Sequence, residues 1–256
     1  MARAAPAQKK TVTSLTQNIT PMTAKQIMAE LESLGSPGIK KILLQHGVRE
    51  PLFGVKVGDM KPIVKRIKTD YALAKELYAT GNADAMYLAG LIADDARMTK
   101  SDLSTWVDQA LSNNISEYTV PWVAAGNPHG YELAVEWIAS PKEHVAAAGW
   151  STLAFIVSLV ADDKLDLPGL KTLVNRVVQQ IHAAPNRVRY AMNAFVISIG
   201  AYVKPLSAEA IAVAKKIGPI TVNMGGTACK VPDSVEYIRK ATDRGSLGKK
   251  KKTVKC

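Results

Sequence analysis

Between Thr23 and Thr242 apolar residues recur at helical spacing in one short segment after another, and hardly anywhere with the alternation of a strand. Ile27, Met28, Leu31 and Leu34 form one such stripe. Leu170, Leu173, Val174, Val177, Val178 and Ile181 form another. Turns of a few residues, rich in Gly, Pro, Asn and Asp, separate the segments. Short connections force neighbouring helices into antiparallel hairpins, and stacked hairpins bury a continuous core behind a curved surface. The pattern therefore predicts an all-α chain. A curved surface without a deep pocket suits a long partner better than a small metabolite, which points to recognition of a polymer.

A first hairpin is predicted over Thr23–Leu34 and Pro37–His46, with Thr23 as N-cap and Pro37 in the first turn of its helix. Pro51–Gly58 reads as a loop in which Gly54 and Gly58 supply backbone angles that other residues avoid. Further helices are expected near Asp59–Lys68, Tyr71–Thr80, Asp84–Ala93, Lys100–Ser112, Ser116–Ala125, Gly130–Ala139 and Pro141–Val160. The last group is expected at Pro168–Ala183, Asn186–Val203, Ser207–Ile217 and Pro232–Thr242. The small residues Ala146–Gly149 mark a place where two helices approach closely. Domain organisation follows: a polar, aperiodic and disordered tail over residues 1–21, one helical domain over 22–245, and a basic tail over 246–256.

The net charge of +11 on 256 residues is unevenly spread. The N-terminal tail carries Arg3, Lys9 and Lys10 without an acid. The C-terminal tail carries Lys249, Lys250, Lys251, Lys252 and Lys255, also without an acid. Most of the excess is thus in the tails, where it attracts polyanions without sequence preference or serves solubility. No apolar run approaches the roughly 20 residues that a membrane span needs. Cys229 and Cys256 are the only cysteines, which predicts no disulfide and a reducing, cytoplasmic compartment. His46, His129, His144 and His182 fall in separate segments, none beside an acid or cysteine at ligand spacing, so neither a metal site nor a nucleophilic triad is expected. No cofactor motif is present.

Four local constellations stand out. Lys61, Lys65 and Lys68 recur at i, i+4 and i+7 with Lys56 and Arg66 nearby, and form either a solvated face or a stripe that meets phosphates. Glu117, Tyr118 and Trp122 sit within two helical turns. They make either a pair of core aromatics beside an exposed Glu, or an aromatic platform for a base or cationic ligand with Glu117 supplying charge. In Asn186–Phe195, Arg187 and Arg189 are placed to meet phosphates, with Asn193 on the face of Arg189, Asn186 capping the helix, and Tyr190 and Phe195 packing inward. Finally, Gly225–Asp233 lacks the spacing of a phosphate loop and reads as a loop-to-helix junction around a buried Cys229.

Several of these strings together resemble the AlkD-like DNA alkylation repair family. They are Leu52–Lys61, Asp84–Ala93, Tyr118–Trp122 and Asn186–Tyr202, and the resemblance runs from about Met22 to Gly245. It implies a HEAT-like solenoid of helical hairpins whose basic concave face grips duplex DNA. It also implies a link to glycosylases that release positively charged N3- or N7-alkylated purines without the usual flipping of the base. In active members aromatic residues flank the lesion, a carboxylate stabilises charge on the sugar, and an arginine holds the backbone. Here the pattern is broken. The family's segment carries a Trp and an Asp four residues apart; with its Thr-Val pair on Thr119-Val120, Glu117 takes the Trp position and Pro121 the Asp position. The arginine position falls in Ala146–Gly149 and the second Trp position near Phe195–Ile199, and neither stretch supplies the residue.

The sequence thus predicts a divergent member that binds duplex DNA, alkylated or not, and excises bases weakly or not at all. Lys61, Lys65, Lys68, Tyr118, Trp122, Trp150, Arg187, Arg189 and Asn193 are its expected DNA contacts. Two alternatives accompany this reading. One is an active glycosylase with a shifted site around Glu117, Tyr118, Trp122 and Trp150, Glu117 being its catalytic candidate. The other is a helical scaffold that binds a protein partner.

Overall fold

The computed structural model describes residues 22–256, so the predicted N-terminal tail, residues 1–21, lies outside the described residues. Within them the regular structure is helical. It comprises α1 (Ala24–Leu34), α2 (Pro37–Gln45), α3 (Val57–Ile67), α4 (Tyr71–Ala79), α5 (Ala83–Ile92) and α6 (Lys100–Gln109). There follow α7 (Val120–Ala125), α8 (Gly130–Trp137), α9 (Glu143–Leu159), α10 (Leu167–Gln180), α11 (Asn186–Tyr202), α12 (Ser207–Ile217) and α13 (Ser234–Asp243). Side chains cap six of the helix starts. Thr23 and Gln26 close a capping box at α1, Thr99 and Asp102 close another at α6, and Asp70, Asn82, Asp166 and Asp233 cap α4, α5, α10 and α13.

Hairpin partners pack on one another, α4 on α5, α8 on α9 and α11 on α12, and the pairs stack through shared helices. Two large apolar cores result, beside a small cluster of Val48, Leu52 and Ala83. One joins α1 and α3–α8; the other joins α8 to α13. Helix α9 serves both, with Val145 and Ala148 in the first and Ala147, Trp150, Leu153 and Val157 in the second. A helix apolar on all sides is one buried on all sides, and α9 is buried from Val145 to Ser158 save for the partly buried Phe155. Its small residues allow this. A Cβ on Gly149 would stand 2.7 Å from the Ile138 nitrogen and 2.8 Å from the Ala134 carbonyl oxygen, so α8 and α9 meet backbone to backbone there.

The loop before α3 is held by a buried carboxylate. Asp84, in the first turn of α5, accepts the N–H groups of Phe53, Gly54 and Val55 at 2.6, 2.9 and 3.1 Å. Two of the sequence strings singled out above are thus tied together by one side chain. Gly54 has φ +85°, and a Cβ there would collide with the Lys40 nitrogen at 2.5 Å. Gly58, by contrast, lies inside α3 with ordinary angles, so it is not the loop residue its type suggested.

The basic C-terminal segment is not a free tail. It crosses the C-terminal ends of α11, α9 and α5 in turn. The Gly248 N–H donates to the Ala201 carbonyl at 2.9 Å and the Lys251 N–H to that of Ser158 at 2.8 Å. Lys250 Nζ donates to the Val157 carbonyl at 2.8 Å and pairs with Asp162 at 2.8 Å. Lys255 Nζ reaches the Ala93 carbonyl at 3.1 Å and Asp95 at 2.7 Å. The physical reason lies in the helices: the last carbonyls of each have no internal partner and carry the negative end of the helix dipole, and lysines satisfy both. Lys249, Lys251 and Lys252 remain exposed.

Candidate nucleic-acid interface

The site begins with Pro121. In a continuous α-helix residue 121 would donate its N–H to the carbonyl of Glu117; proline has no N–H and its ring crowds that carbonyl. The chain responds with a π-helical turn, Ile115–Thr119, in which the Val120 N–H reaches back to the Ile115 carbonyl. Such turns insert an extra residue into a helix and redirect side chains. Here Glu117 turns inward and is 3% exposed, while its neighbour Tyr118 faces out at 41%.

Arg187, in the first turn of α11, meets Glu117 with both arms of its guanidinium, Nε to Oε1 and Nη2 to Oε2, each at 2.6 Å. The guanidinium also lies 4.7 Å from the centre of the Tyr190 ring. Its backbone N–H donates to the Glu143 carboxylate at 2.7 Å, joining the N-terminal ends of α9 and α11. Burial pushes the Glu117 carboxyl above its ordinary value, Arg187 pulls the other way, and Glu143 adds to the rise. For Arg187 burial is the largest single influence and works against the charge, but the hydrogen bonds and the charge of Glu117 together more than offset it and hold the guanidinium above its usual value. A guanidinium does not lose its proton in a protein, and a bidentate partner keeps the carboxylate ionised. We therefore describe the pair as charged and mutually neutralised.

This pair forms the floor of a cleft of about 870 Å³. One wall is the end of α2 and the turn after it, residues 43–48, together with Asn113 and Asn114; the other is the loop carrying Asn223–Lys230. Asn186 and Asn223 pin that loop to α11 by reciprocal side chain-to-backbone bonds of 2.9 and 2.7 Å. Gly225, at φ +70°, seats it against α2, where a Cβ would stand 2.6 Å from the Gln45 carbonyl. Tyr118, Tyr190, Pro232 and Tyr237 complete the lining. Burial is the leading cause that raises the hydroxyl values of Tyr118 and Tyr190, so both stay protonated. Among the described residues that line the cleft, Glu117 is the only carboxylate.

The expected contacts fare unevenly. Glu117, Tyr118 and Arg187 come together in the cleft. Trp122 and Trp150 do not join them: both are core residues, Trp122 edge-on to Tyr87 and Trp150 against Phe195, so the expected surface platform reduces to Tyr118. Asn193 is buried and anchors the segment before α13, donating to the Pro232 carbonyl at 2.9 Å and accepting from Ser234. Arg187 is paired with Glu117 and presents no free charge to phosphate; Arg189 keeps its charge, but its two terminal nitrogens are directed to the carbonyls of Thr221 and Ala184, at 2.6 and 3.0 Å. Asn186 is a staple to Asn223 and not a cap. Lys61 and Lys65 are exposed on α3 and Lys68 just beyond its end, where φ is +65° and the helical stripe stops; none makes an ion pair with a described residue, and none lines the cleft with Arg187 as expected. Cys229, expected to be buried, is exposed. The residues that sequence reasoning missed are Asn113, Asn114 and the end of α2. The adjacent asparagines offered a weak signal, and nothing in the sequence placed α2 opposite the glycine loop.

Comparison with known proteins fits this geometry. The family model described as DNA alkylation repair enzyme matches residues 27–226. Uncharacterized proteins of Listeria innocua and Listeria monocytogenes are each 32% identical over 229 residues, 87% of this chain and 99% of theirs. A solved structure superposes with a TM-score of 0.85 at 39% identity, over 92% of this chain and all of the other. It is described as "a new family of proteins related to the HEAT-like repeat DNA glycosylases with affinity for branched DNA structures". The stacked hairpins are therefore a HEAT-like repeat fold, and the chain belongs to the DNA alkylation repair enzyme family.

Proposed function

We propose that this protein binds DNA, favours branched structures over continuous duplex, and releases alkylated purines slowly or not at all. The observation that carries the second half is the state of Glu117. Cleaving the bond to a cationic base requires negative charge beside the sugar as positive charge develops there. The only carboxylate of the cleft is buried and its charge is already spent on a bidentate arginine. Pro121, at the family's carboxylate position, offers neither a carboxylate nor an N–H. A misplacement of about 1 Å in such a site costs on the order of a hundredfold in rate.

Binding is supported by family membership, by the affinity of the structural relative for branched DNA, and by the net charge of +11. Lys61 and Lys65 on α3, Lys68 just past its end, Lys230 at the cleft, and Lys249, Lys251 and Lys252 along the C-terminal segment are the exposed cations we assign to phosphate contact. The test is a titration of the full chain against a fork, a four-way junction and a linear duplex at about 50 and about 200 mM salt, a range over which phosphate contacts weaken strongly. Tighter binding of the branched forms, weakened by salt, is expected. No affinity for any of them at low salt would overturn the reading in favour of a protein-binding scaffold.

A further inference from the structure

Large apolar side chains left open to water concentrate at one place. Of the seven that are markedly exposed among the described residues, Leu44 (42%), Tyr118 (41%) and Tyr237 (47%) all line the cleft above Glu117 and Arg187. Exposed apolar groups gathered in a concave site mark a surface built to be covered. Its electrostatics narrow what can cover it. The floor is internally neutral, because the one carboxylate and the one arginine cancel at 2.6 Å. Of the charged residues lining the cleft, only Lys230 is left outside that pair, and it sits in the loop wall. Such a lining has little to offer a phosphate and much to offer a flat, uncharged, aromatic group.

We propose that the cleft takes up one unpaired nucleobase from the branch point of a DNA structure, stacked on Tyr118. This rests on the DNA-binding reading above and names what the cleft does within it. The size fits: a cleft of about 870 Å³ lies within the about 300–1,000 Å³ usual for sites that enclose small organic groups. Polar groups are at hand for the edge of the base. Asn113 and Asn114 are part of the wall; Asn113 Nδ2 donates to the His46 carbonyl at 3.3 Å, and Asn114 Oδ1 is a buried acceptor with no partner. An exocyclic amine of a base supplies the kind of donor that atom lacks, once the asparagine turns towards it. The wall opposite is fixed in advance, since the Asn186–Asn223 pair and Gly225 hold the loop against the end of α2. The proposal also gives a physical reason for favouring branches. A base inside a continuous duplex is stacked and paired and must be extracted at a cost, whereas an unpaired base at a fork is free to enter.

The test compares two forked DNAs that differ at one unpaired position of the branch, 2-aminopurine in one and an abasic analogue in the other. Wild-type protein is expected to bind the first more tightly by about 5- to 150-fold, the range of base–aromatic stacking, and to quench its fluorescence. Tyr118→Ala should bind both forks equally, without quenching, and Tyr118→Phe should behave as wild type. Tyr118 is half exposed, so the substitutions leave the core intact, which circular dichroism checks. Equal affinity of the wild type for both forks, or undiminished quenching in Tyr118→Ala, overturns the base-pocket proposal while leaving DNA binding in place. Failure of the wild type to bind either fork overturns both.

Discussion

The behaviour of the site turns on two residues, Glu117 and Arg187. Removing one member of a buried ion pair leaves a charge without compensation, which typically costs about 3–5 kcal/mol. Arg187→Ala is expected to lower stability by about that much at pH 7 in chemical denaturation, and Glu117→Gln in the same chain should restore part of it. The loss should depend on pH in a defined direction. Without the guanidinium, burial and the neighbouring Glu143 act unopposed on Glu117 and lift its folded-state value further above the unfolded value of about 4.3. The folded state then holds a proton that the unfolded state lacks, so the penalty is absent below that unfolded value and grows as pH rises through the raised one. The deficit of Arg187→Ala should therefore be smaller at pH 4.5 than at pH 7. A deficit independent of pH, or one larger in acid, contradicts an ionised Glu117 at the floor of the cleft.

Helices are held at their ends, and the C-terminal segment is the clearest case. Its basic residues close the ends of α11, α9 and α5 through backbone N–H groups and two lysines. Deleting residues 246–256 is expected to cost about 2 kcal/mol, given a net of about 1 kcal/mol for a buried hydrogen bond and less for exposed ion pairs. In a domain of this size that lowers Tm by roughly 4–8 °C; an unchanged Tm would show that the strap holds nothing. At the start of α6, Asp102 completes the capping box and accepts from Tyr71 and Lys75 of α4. Burial alone would raise its carboxyl, but bonds from Lys75, the Thr99 backbone and Tyr71 more than offset that and hold it well below the usual range. Its contribution is therefore complete above the ordinary aspartate value of about 3.9 and lost as pH falls through the depressed one. Asp102→Asn should cost about 1 kcal/mol at pH 7, and the gap to wild type should close towards pH 2. The same element ends show what the sequence could reveal. Helix positions and the Thr23 cap follow from local spacing and residue type, and they were legible. The strap was not, because a lysine run reads alike whether it floats or meets carbonyls supplied by three distant helices.

Across the whole molecule the order of the helices and the family resemblance were readable from local strings, since hairpin packing follows from apolar spacing and short turns. The site was readable only in part. Glu117, Tyr118 and Arg187 were identified as chemically notable, but their pairing spans 70 residues and depends on a π-helical turn that Pro121 imposes. Trp122 shares the face of Tyr118 by its four-residue spacing, which leaves open whether that face meets solvent or core, and Trp150 offers no such spacing at all; tertiary packing puts both in the core. Arg189 and Asn193 share one helical face and read from the sequence as DNA contacts, yet they bond Thr221 and Pro232, at either end of the loop that walls the cleft. The central claim is that this cleft binds DNA without the free carboxylate that excision requires. It is tested most directly by incubating an excess of the protein with duplex and forked DNA that carry 7-methylguanine, and scoring bound DNA and abasic sites in the same samples. Saturated binding is expected, with abasic sites forming no faster than without protein. Rapid formation of abasic sites, abolished by Glu117→Gln, would contradict it.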